Sequence, residues 1–480
     1  MQREVPPTSA VSRRELLFRS ATGFGGLALC GLLSSCSQQR QPVPSATKGV
    51  ASGPRKKAKN VIFLFTSGGP SQIDTFDPKP RLAKEHGQQI KMKLPKIQFN
   101  GCSIVMQSPF RFRPYGECGA SVIEIFPEVA KCVDDLCIIR SMQTDHGEHG
   151  TANLFVNTGK GNAGRPSMGS WINYGLGSEC DDLPGYVVLE SGRIPVGGMA
   201  CFSNGFLPAK YHGTIFHQGA YPVVDLKPHE PNAALQRSKL SVIQELNRQT
   251  SERWREHGEL EAVIQNYEMA FKMQTAVPEL VDTRNTSPAL RKLYGLDQKE
   301  TVSFGSQCLL ARKLVQRGVR FVQLLPPILP DYDQWDQHED LNEGHRANAL
   351  ATDRPIAGLL KDLKSLGMLD ETLVLWGGEF GRTPMEHTNP GQKVTCTGRG
   401  HNRFGYTMWM AGGGVKPGLV YGATDEYGFY AIENPVHVHD LHATILHLLG
   451  INHEELTYLY GGREQRLTDV YGEVVHDIIA

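Results

Sequence analysis

Asn60-Val-Ile-Phe-Leu-Phe65 is an unbroken apolar run that empties into Thr-Ser-Gly-Gly-Pro-Ser. That is the pattern of a strand buried on both faces of a parallel sheet and followed by a tight loop. Four further runs read as strands: Leu136-Cys-Ile-Ile-Arg-Ser141, Val319-Arg-Phe-Val-Gln-Leu-Leu325, Thr372-Leu-Val-Leu-Trp376 and Tyr406-Thr-Met-Trp-Met-Ala411. Helical patterns alternate with them. One ends at Thr158-Gly159, one covers residues 303–317 before Gly318, and one opens at Pro355, carries Ile356, Leu359, Leu360, Leu363 and Leu366, and stops at Gly367. In the last, Asp440 caps a helix bearing Leu441, Ile445, Leu448 and Leu449. Strands alternating with helices predict an α/β fold over residues 60–475, with a large, mostly parallel sheet sandwiched between helices. Residues 232–300 are polar, charged and helical in pattern, and read as a helical insertion.

The N-terminus has a different character. Ser12-Arg13-Arg14-Glu15-Leu16-Leu17 is a twin-arginine signal, Ala21 to Leu33 is weakly apolar, and Leu33-Ser34-Ser35-Cys36 is a lipobox. The apolar stretch is short and Gly-rich for a membrane-spanning helix. Residues 1–36 are therefore expected to be a signal peptide, with lipidation at Cys36 and a flexible linker over residues 37–59. The expected location is the periplasmic or cell-surface face of a membrane, reached by the twin-arginine route and held by an N-terminal lipid anchor.

Without residues 1–36, 46 Lys and Arg face 48 Asp and Glu, and this near-neutrality argues against a nucleic-acid partner. Eight cysteines remain (102, 118, 132, 137, 180, 201, 308 and 396), none in a CxxC pair. Their even number permits disulfides in an exported chain, whereas folding in a reducing compartment before export leaves buried thiols as the alternative.

Acids and histidines gather just past the predicted strands: Asp145-His146-Gly-Glu148-His149, Asp331 to His345, Glu379 and His401. In an α/β sheet the carboxyl ends of the strands share one rim, so these distant segments can converge on one metal ion. Other chemistries lack their motifs. Gly159-Lys-Gly-Asn-Ala-Gly164 is followed by Arg165-Pro166 where a P-loop needs Lys and Ser or Thr, and there is no Gly-x-Ser-x-Gly elbow or His-Glu-x-x-His helix. The His437-Val-His-Asp-Leu-His442 stretch shares its residues with a helix start, which gives it a structural reading beside the metal one.

Several motifs occur in the order found in the bacterial "domain of unknown function 1501" family: Thr66 to Pro80, Gly378-Glu-Phe-Gly-Arg-Thr-Pro384, Gly398-Arg-Gly-His401, Ala411-Gly-Gly-Gly-Val-Lys-Pro-Gly418, Gly422-Ala-Thr-Asp-Glu426 and Asp440-Leu-His-Ala-Thr-Ile-Leu446. The resemblance covers about residues 60–470 and implies the fold of the alkaline phosphatase and sulfatase superfamily, with metals at the strand ends. Carried over by position, it implies metal ligands at Asp336, His338, Glu379 and His401, with zinc the expected divalent metal and manganese or calcium as alternatives. The nucleophile region falls on His149 or Thr151, where His149 either attacks or ligates; Arg382 either contacts a substrate anion or braces its loop. Three positions depart from the superfamily pattern: Ser67 replaces the first acid, Phe380 replaces a His, and His149 falls in the nucleophile slot in place of Ser, Thr or Cys; nor does any Cys/Ser-x-Pro-x-Arg sequence of the standard sulfatases exist. The expected activity is hydrolysis of phosphate or sulfate esters, with an anionic ester or a sulfated or phosphorylated glycan as substrate. The alternative is an inactive, metal-stabilised binding or scaffold lipoprotein.

Overall fold

The computed structural model describes residues 53–95, 103–219, 222, 223, 226, 230, 232–253, 258–329, 331–387 and 397–480. The signal peptide, Cys36, most of the linker, Cys102 and Cys396 lie outside the described residues. Among the described residues no helix is long and apolar enough to cross a membrane. The chain divides into two compact units. One takes in residues 227–258, and the other comprises residues 48–226 and 259–480 and holds all that is described below except helix α3.

Nine strands form the central sheet: β1 (Asn60–Phe65), β2 (Leu136–Gln143), β3 (Tyr186–Leu189), β4 (Thr214–Phe216), β5 (Phe321–Leu324), β6 (Thr372–Gly377), β9 (Tyr406–Ala411), β10 (Leu419–Tyr421) and β11 (Val436–His437). Two others, β7 (Gly381–Glu386) and β8 (Arg399–Asn402), form a separate antiparallel ribbon. The order across the sheet is β10-β2-β9-β6-β1-β5-β3-β4, with β11 beside β2. Every pairing is parallel except those of β9, which runs against both β6 and β2. The fold is thus α/β with a large, mostly parallel sheet, as the strand pattern predicts.

Among the described residues, the α-helices of seven residues or more are α1 (His149–Thr158), α2 (Met168–Leu176), α3 (Ala233–Arg253), α4 (Gly258–Val281), α5 (Pro288–Tyr294), α6 (Val302–Gln316), α7 (Leu341–Ser365) and α8 (Val438–Leu448). Successive side chains of a strand point to opposite faces, and β1 shows how the two layers arise. Ile62 and Leu64 belong to a core with Phe304 and Leu309 of α6 and Ile356, Leu359 and Leu363 of α7. Val61, Phe63 and Phe65 belong to the opposite core with Phe155 of α1, Trp171 of α2 and Leu441 and Ile445 of α8. Because both faces are covered, the strands read as continuous apolar runs rather than alternating ones.

Two helix starts differ from the sequence reading. Pro355 does not open α7 but sits inside it; the helix begins at Leu341 after Asp340. Buried His345, Asn348, Ala349 and Thr352 hold the preceding turns against the core despite the hydrogen bond that proline removes. Asp440 is not the N-cap of α8; His437 is, and Asp440 closes a capping box by accepting from the His437 N–H at 2.9 Å. In the polar stretch 232–300, α3, α4 and α5 are the helices observed. Cys118, Cys132, Cys137, Cys180, Cys201 and Cys308 are free thiols, so the disulfide alternative fails for these six.

Candidate metal centre

The parallel strands deliver five segments to one rim of the sheet. β1 leads into the Gly68-Gly69 loop, β2 into the start of α1, β5 into the loop carrying Asp336 and His338, and β6 into Glu379; the β7–β8 ribbon supplies Arg382 and His401 just before antiparallel β9. The loops interlock closely enough to demand glycine. A Cβ on Gly68, whose φ is +108°, would lie 1.9 Å from the Gln334 carbonyl oxygen. One on Gly398 would lie 2.0 Å from the His338 carbonyl oxygen. Trp335, buried beside Asp336, holds φ at +36°, a left-handed conformation that is costly for a bulky side chain and is maintained by its packing.

At the centre, one donor atom from each of His149, Asp336, His338 and His401 lies within 4.8 Å of all the others. His149 Nε2 is 3.1 Å from Asp336 Oδ2, His338 Nε2 is 3.1 Å from Asp336 Oδ1, and the Nε2 atoms of His338 and His401 are 2.9 Å apart. Four donors at bonds of about 2.0–2.2 Å to one tetrahedral zinc stand about 3.3 Å from one another, so the cluster has the dimensions of a single-ion cage. One carboxylate with three imidazoles suits zinc chemically, and the other ring nitrogens strengthen the fit. Nδ1 of His149 donates to Glu379 Oε1 at 2.6 Å, and Nδ1 of His401 donates to the Gly147 carbonyl at 2.8 Å. Each bond orients its ring with Nε2 toward the cluster, the arrangement by which carboxylates and carbonyls position metal-binding histidines. The buried His149 Nε2 has no hydrogen-bond partner, although it lies at ion-pair distance from Asp336.

Glu379 therefore stands behind His149 and outside the four-residue cluster. Fully buried, it accepts from His149 and from the Gly68 N–H at 3.0 and 3.2 Å. His149, placed by its sequence position in the nucleophile region, takes the place in the cluster that was expected of Glu379. Thr151 is engaged by the helix cap: its hydroxyl is 3.2 Å from Glu148 Oε2, and Glu148 caps α1 by accepting from the N–H groups of Gly150 and Thr151. Arg382 is wholly buried and takes the brace role. It donates from Nε to Gly69 O at 2.9 Å, from Nη1 to Arg399 O at 3.1 Å, and from Nη2 to Gly68 O and to Asp336 Oδ1, the last at 2.6 Å.

Electrostatics follow from this geometry. Burial penalises the Asp336 carboxylate, but Arg382 and the imidazoles of His149, His338 and His401 close around it outweigh that and hold the carboxyl far below its usual range. Burial also opposes charge on His149; the nearby Asp336 carboxylate and the hydrogen-bonded Glu379 overcome it and push the imidazole up to about 9. His401, buried and beside Arg382 and other histidines, is pushed down to about 3 despite Asp336. In the absence of metal, His149 is the cation that two carboxylates enclose.

The departures noted in the sequence also find their places. Phe380 is fully buried, its ring centroid 4.8 Å from that of His149 and 4.5 Å from that of His401, so an apolar wall stands where a further ligand was looked for. Asp77 pairs with Lys79 at 2.9 Å, and Asp74 forms a fully buried ion pair with Arg399, Nε to Oδ2 at 2.6 Å. That pair is the support the sequence reading missed, although Arg399 stands two residues before His401 in Gly398-Arg-Gly-His401. His345 is buried too, its Nε2 accepting from the Ser71 N–H at 3.4 Å. The His437–His442 stretch is committed to the helix: His437 caps α8, and His439 and His442 donate to the carbonyls of Gly159 and Val156 at 2.9 and 2.8 Å.

The chain belongs to the DUF1501 family. The profile described as "Protein of unknown function (DUF1501)" matches residues 58–479. No curated protein matches. Among solved structures, the chain is similar to the lipoteichoic acid synthase LtaP from Listeria monocytogenes, at 10% identity over 85% of this chain and 76% of that one, with a TM-score of 0.32. It is similar to the PsFucS1 sulfatase from Pseudoalteromonas sp., at 14% identity over 83% and 69% of the two chains and a TM-score of 0.34. The alkaline phosphatase from the Antarctic bacterium TAB5 matches at 13% identity over 74% and 92%, with a TM-score of 0.30.

Proposed function

We propose that this protein is an exported, lipid-anchored metallohydrolase of phosphate or sulfate esters, using one divalent ion, zinc by its donor set, held by His149, Asp336, His338 and His401. The observation that carries the reading is the convergence of four donors within 4.8 Å, with the rings of His149 and His401 fixed from behind by Glu379 and the Gly147 carbonyl. When bound, such an ion polarises an ester oxygen and lowers the pKa of an attacking water. The chain's own residues divide the remaining work. Arg382 keeps Asp336 ionised and ties the loops after β1 and β5 to the β7–β8 ribbon. Glu379 keeps His149 aimed at the cluster, and Phe380 keeps water from one side of it. Asp336 and His338 are about one quarter exposed, which leaves the cluster open to an ester on that side.

Neither the Thr151 hydroxyl nor the Arg382 guanidinium is set aside for substrate: Thr151 serves the cap of α1, and every guanidinium nitrogen of Arg382, wholly buried, is engaged by the loops and Asp336. An attacking water thus takes the part of a protein nucleophile. The same two observations favour the second reading, a metal-stabilised binding or scaffold lipoprotein without turnover. Metal analysis of the purified protein, with hydrolysis of aryl phosphate and aryl sulfate before and after His401→Ala, separates them. Stoichiometric metal with an activity that His401→Ala abolishes supports the hydrolase; metal without hydrolysis of either ester supports the scaffold. Export and anchoring have their own test, metabolic labelling with palmitate in cells making wild type and Cys36→Ala; label retained by the variant refutes the lipid anchor.

A further inference from the structure

Gly159, with φ +71°, ends α1, and the next residues build a second cluster that the metal centre does not use. Lys160 Nζ lies 2.5 Å from Asp469 Oδ2, Arg165 Nη2 lies 3.8 Å from Asp469 Oδ1, and Arg463 Nη2 pairs with that same oxygen. Three cations thus share one carboxylate, a local excess of two positive charges in a chain whose formal net charge is zero. Burial lowers the Arg165 guanidinium pKa, which Asp469 opposes and Arg463 reinforces by repulsion. Like charges held this close are costly unless an anion completes them, and a Debye length of about 8 Å at physiological salt does not screen them from one another.

An aromatic platform adjoins the cations. The Arg165 guanidinium lies 5.6 Å over the Phe206 ring, and Phe206 stacks on Tyr460 with centroids 4.7 Å apart and planes at 16°. Tyr460 is 55% exposed on the short hairpin of Tyr458–Tyr460 with Arg463–Gln465 that also carries Arg463. A flat aromatic side chain beside a compact cation cluster offers a stacking surface for the C–H face of a sugar ring and charge-assisted hydrogen bonds for its anionic substituent.

We propose that Lys160, Arg165, Arg463 and Tyr460 form a binding subsite for a sugar unit of an anionic glycan, the sulfate, phosphate or carboxylate meeting the cations and the ring lying on Tyr460. The site is compact and has one exposed ring, whereas single-stranded nucleic acid is followed by an extended basic track with several stacking residues. α1 links the two sites. His149 opens this helix and Thr158 closes it, so the cation cluster stands about 15 Å along the helix from the metal centre, the length of a few sugar units. That this subsite holds a remote part of the same substrate rests on the hydrolase reading; the subsite itself does not.

Calorimetric titration of the purified protein with a heparin-derived hexasaccharide tests the subsite without requiring turnover, with neutral maltohexaose and a short single-stranded DNA of equal charge as controls. Tyr460→Ala and Arg463→Gln change exposed side chains and are expected to weaken hexasaccharide binding about tenfold or more, as loss of one charge-assisted hydrogen bond or one stacking face implies, while leaving aryl-ester hydrolysis unchanged. Asp469→Asn raises the local excess to three positive charges and should tighten binding, a change of opposite sign that damage to the fold would not produce. Wild-type binding that both variants retain, equal binding of maltohexaose, or tighter binding of the DNA overturns the proposal. A protein that binds the hexasaccharide in this pattern but hydrolyses no ester keeps the subsite and loses the hydrolase reading.

Discussion

Glu379→Gln removes one charge and almost no volume from behind the candidate metal centre. Glu379 accepts from His149 Nδ1 at 2.6 Å and from the Gly68 N–H at 3.0 and 3.2 Å, and it is fully buried. If the amide oxygen takes the place of Oε1 it can still accept from both donors, but it is uncharged and its NH2 then stands 3.2 Å from the Gly68 N–H, donor against donor; if the NH2 takes that place, the imidazole must present a lone pair at Nδ1 and a proton at Nε2, toward the cluster. Loss of a hydrogen bond to a charged group costs about 1.5–3 kcal/mol, which is about 10–150-fold in metal affinity and overlaps the 10–100-fold typical of such supporting carboxylates. Proton competition modifies the comparison. In the metal-free wild type His149 is pushed up to about 9, so its proton must leave before zinc binds, at a cost of about 1.4 kcal/mol per pH unit below that value. Glu379→Gln weakens the hold on that proton as well, so the affinity loss is smallest near pH 7 and fullest near pH 9. Chelator-buffered zinc titration at both values is the assay, with circular dichroism to show that the variant is folded. A folded variant that binds zinc within threefold of wild type at pH 9 refutes the role given to Glu379.

Asp74→Ala leaves the Arg399 guanidinium buried without its carboxylate and should cost about 3–5 kcal/mol in chemical denaturation; a loss below about 1 kcal/mol contradicts a buried ion pair as the anchor of the β7–β8 ribbon. Gly68→Ala places a methyl group 1.9 Å from the Gln334 carbonyl oxygen at a φ of +108°, so stability should fall by about 3 kcal/mol or more together with zinc binding, and a variant that binds zinc normally argues against the interlocked loops. His442 is pushed down to about 3 by burial, with repulsion from His439 added and its hydrogen bond to the Val156 carbonyl opposing. A folded pKa below the unfolded one of about 6.5 gives stability that is complete above pH 6.5 and lost as pH falls toward 3, at about 1.4 kcal/mol per unit. Urea titrations at pH 6.5 and 4.5 should therefore differ by about 2 kcal/mol more in wild type than in His442→Gln, and equal differences exclude the buried neutral imidazole.

Five of the nine strands were legible, because a parallel sheet covered on both faces tolerates few polar residues: the run at Asn60–Phe65 coincides with β1 and that at Tyr406–Ala411 with β9, whereas β3, β4, β10 and β11, of two to four residues, are too short to stand out as apolar runs. Direction was not legible in the same way. Apolar runs of equal quality give no sign that β9 alone runs against its neighbours, because direction follows from how the chain enters the strand, and β9 is entered from the rim where the β7–β8 ribbon ends. Helix starts failed where a local signal competed with tertiary packing. Pro355 carries a strong local preference for a first turn, yet the buried face that begins at Leu341 continues through it.

The site shows the same limit on a smaller scale. Strand ends told which acids and histidines share a rim, and three of the four expected ligands, Asp336, His338 and His401, do meet. What the sequence order could not supply is the layer to which each residue belongs, because that depends on reach. His149 occupies the first residue of α1, after a loop that carries its ring to Asp336, whereas Glu379 follows β6 directly and stops one imidazole short, against Gly68. Arg382 extends the argument. All three nitrogens of its guanidinium are already bonded, to carbonyls of two loops and the ribbon and to the Asp336 carboxylate, so the residue that most resembles an anion clamp instead fixes the distance between the segments that carry the donors. The chemistry open to this centre is therefore set by what the carboxylate and the three imidazoles hold between them, and by whatever reaches them along the partly exposed side of Asp336 and His338.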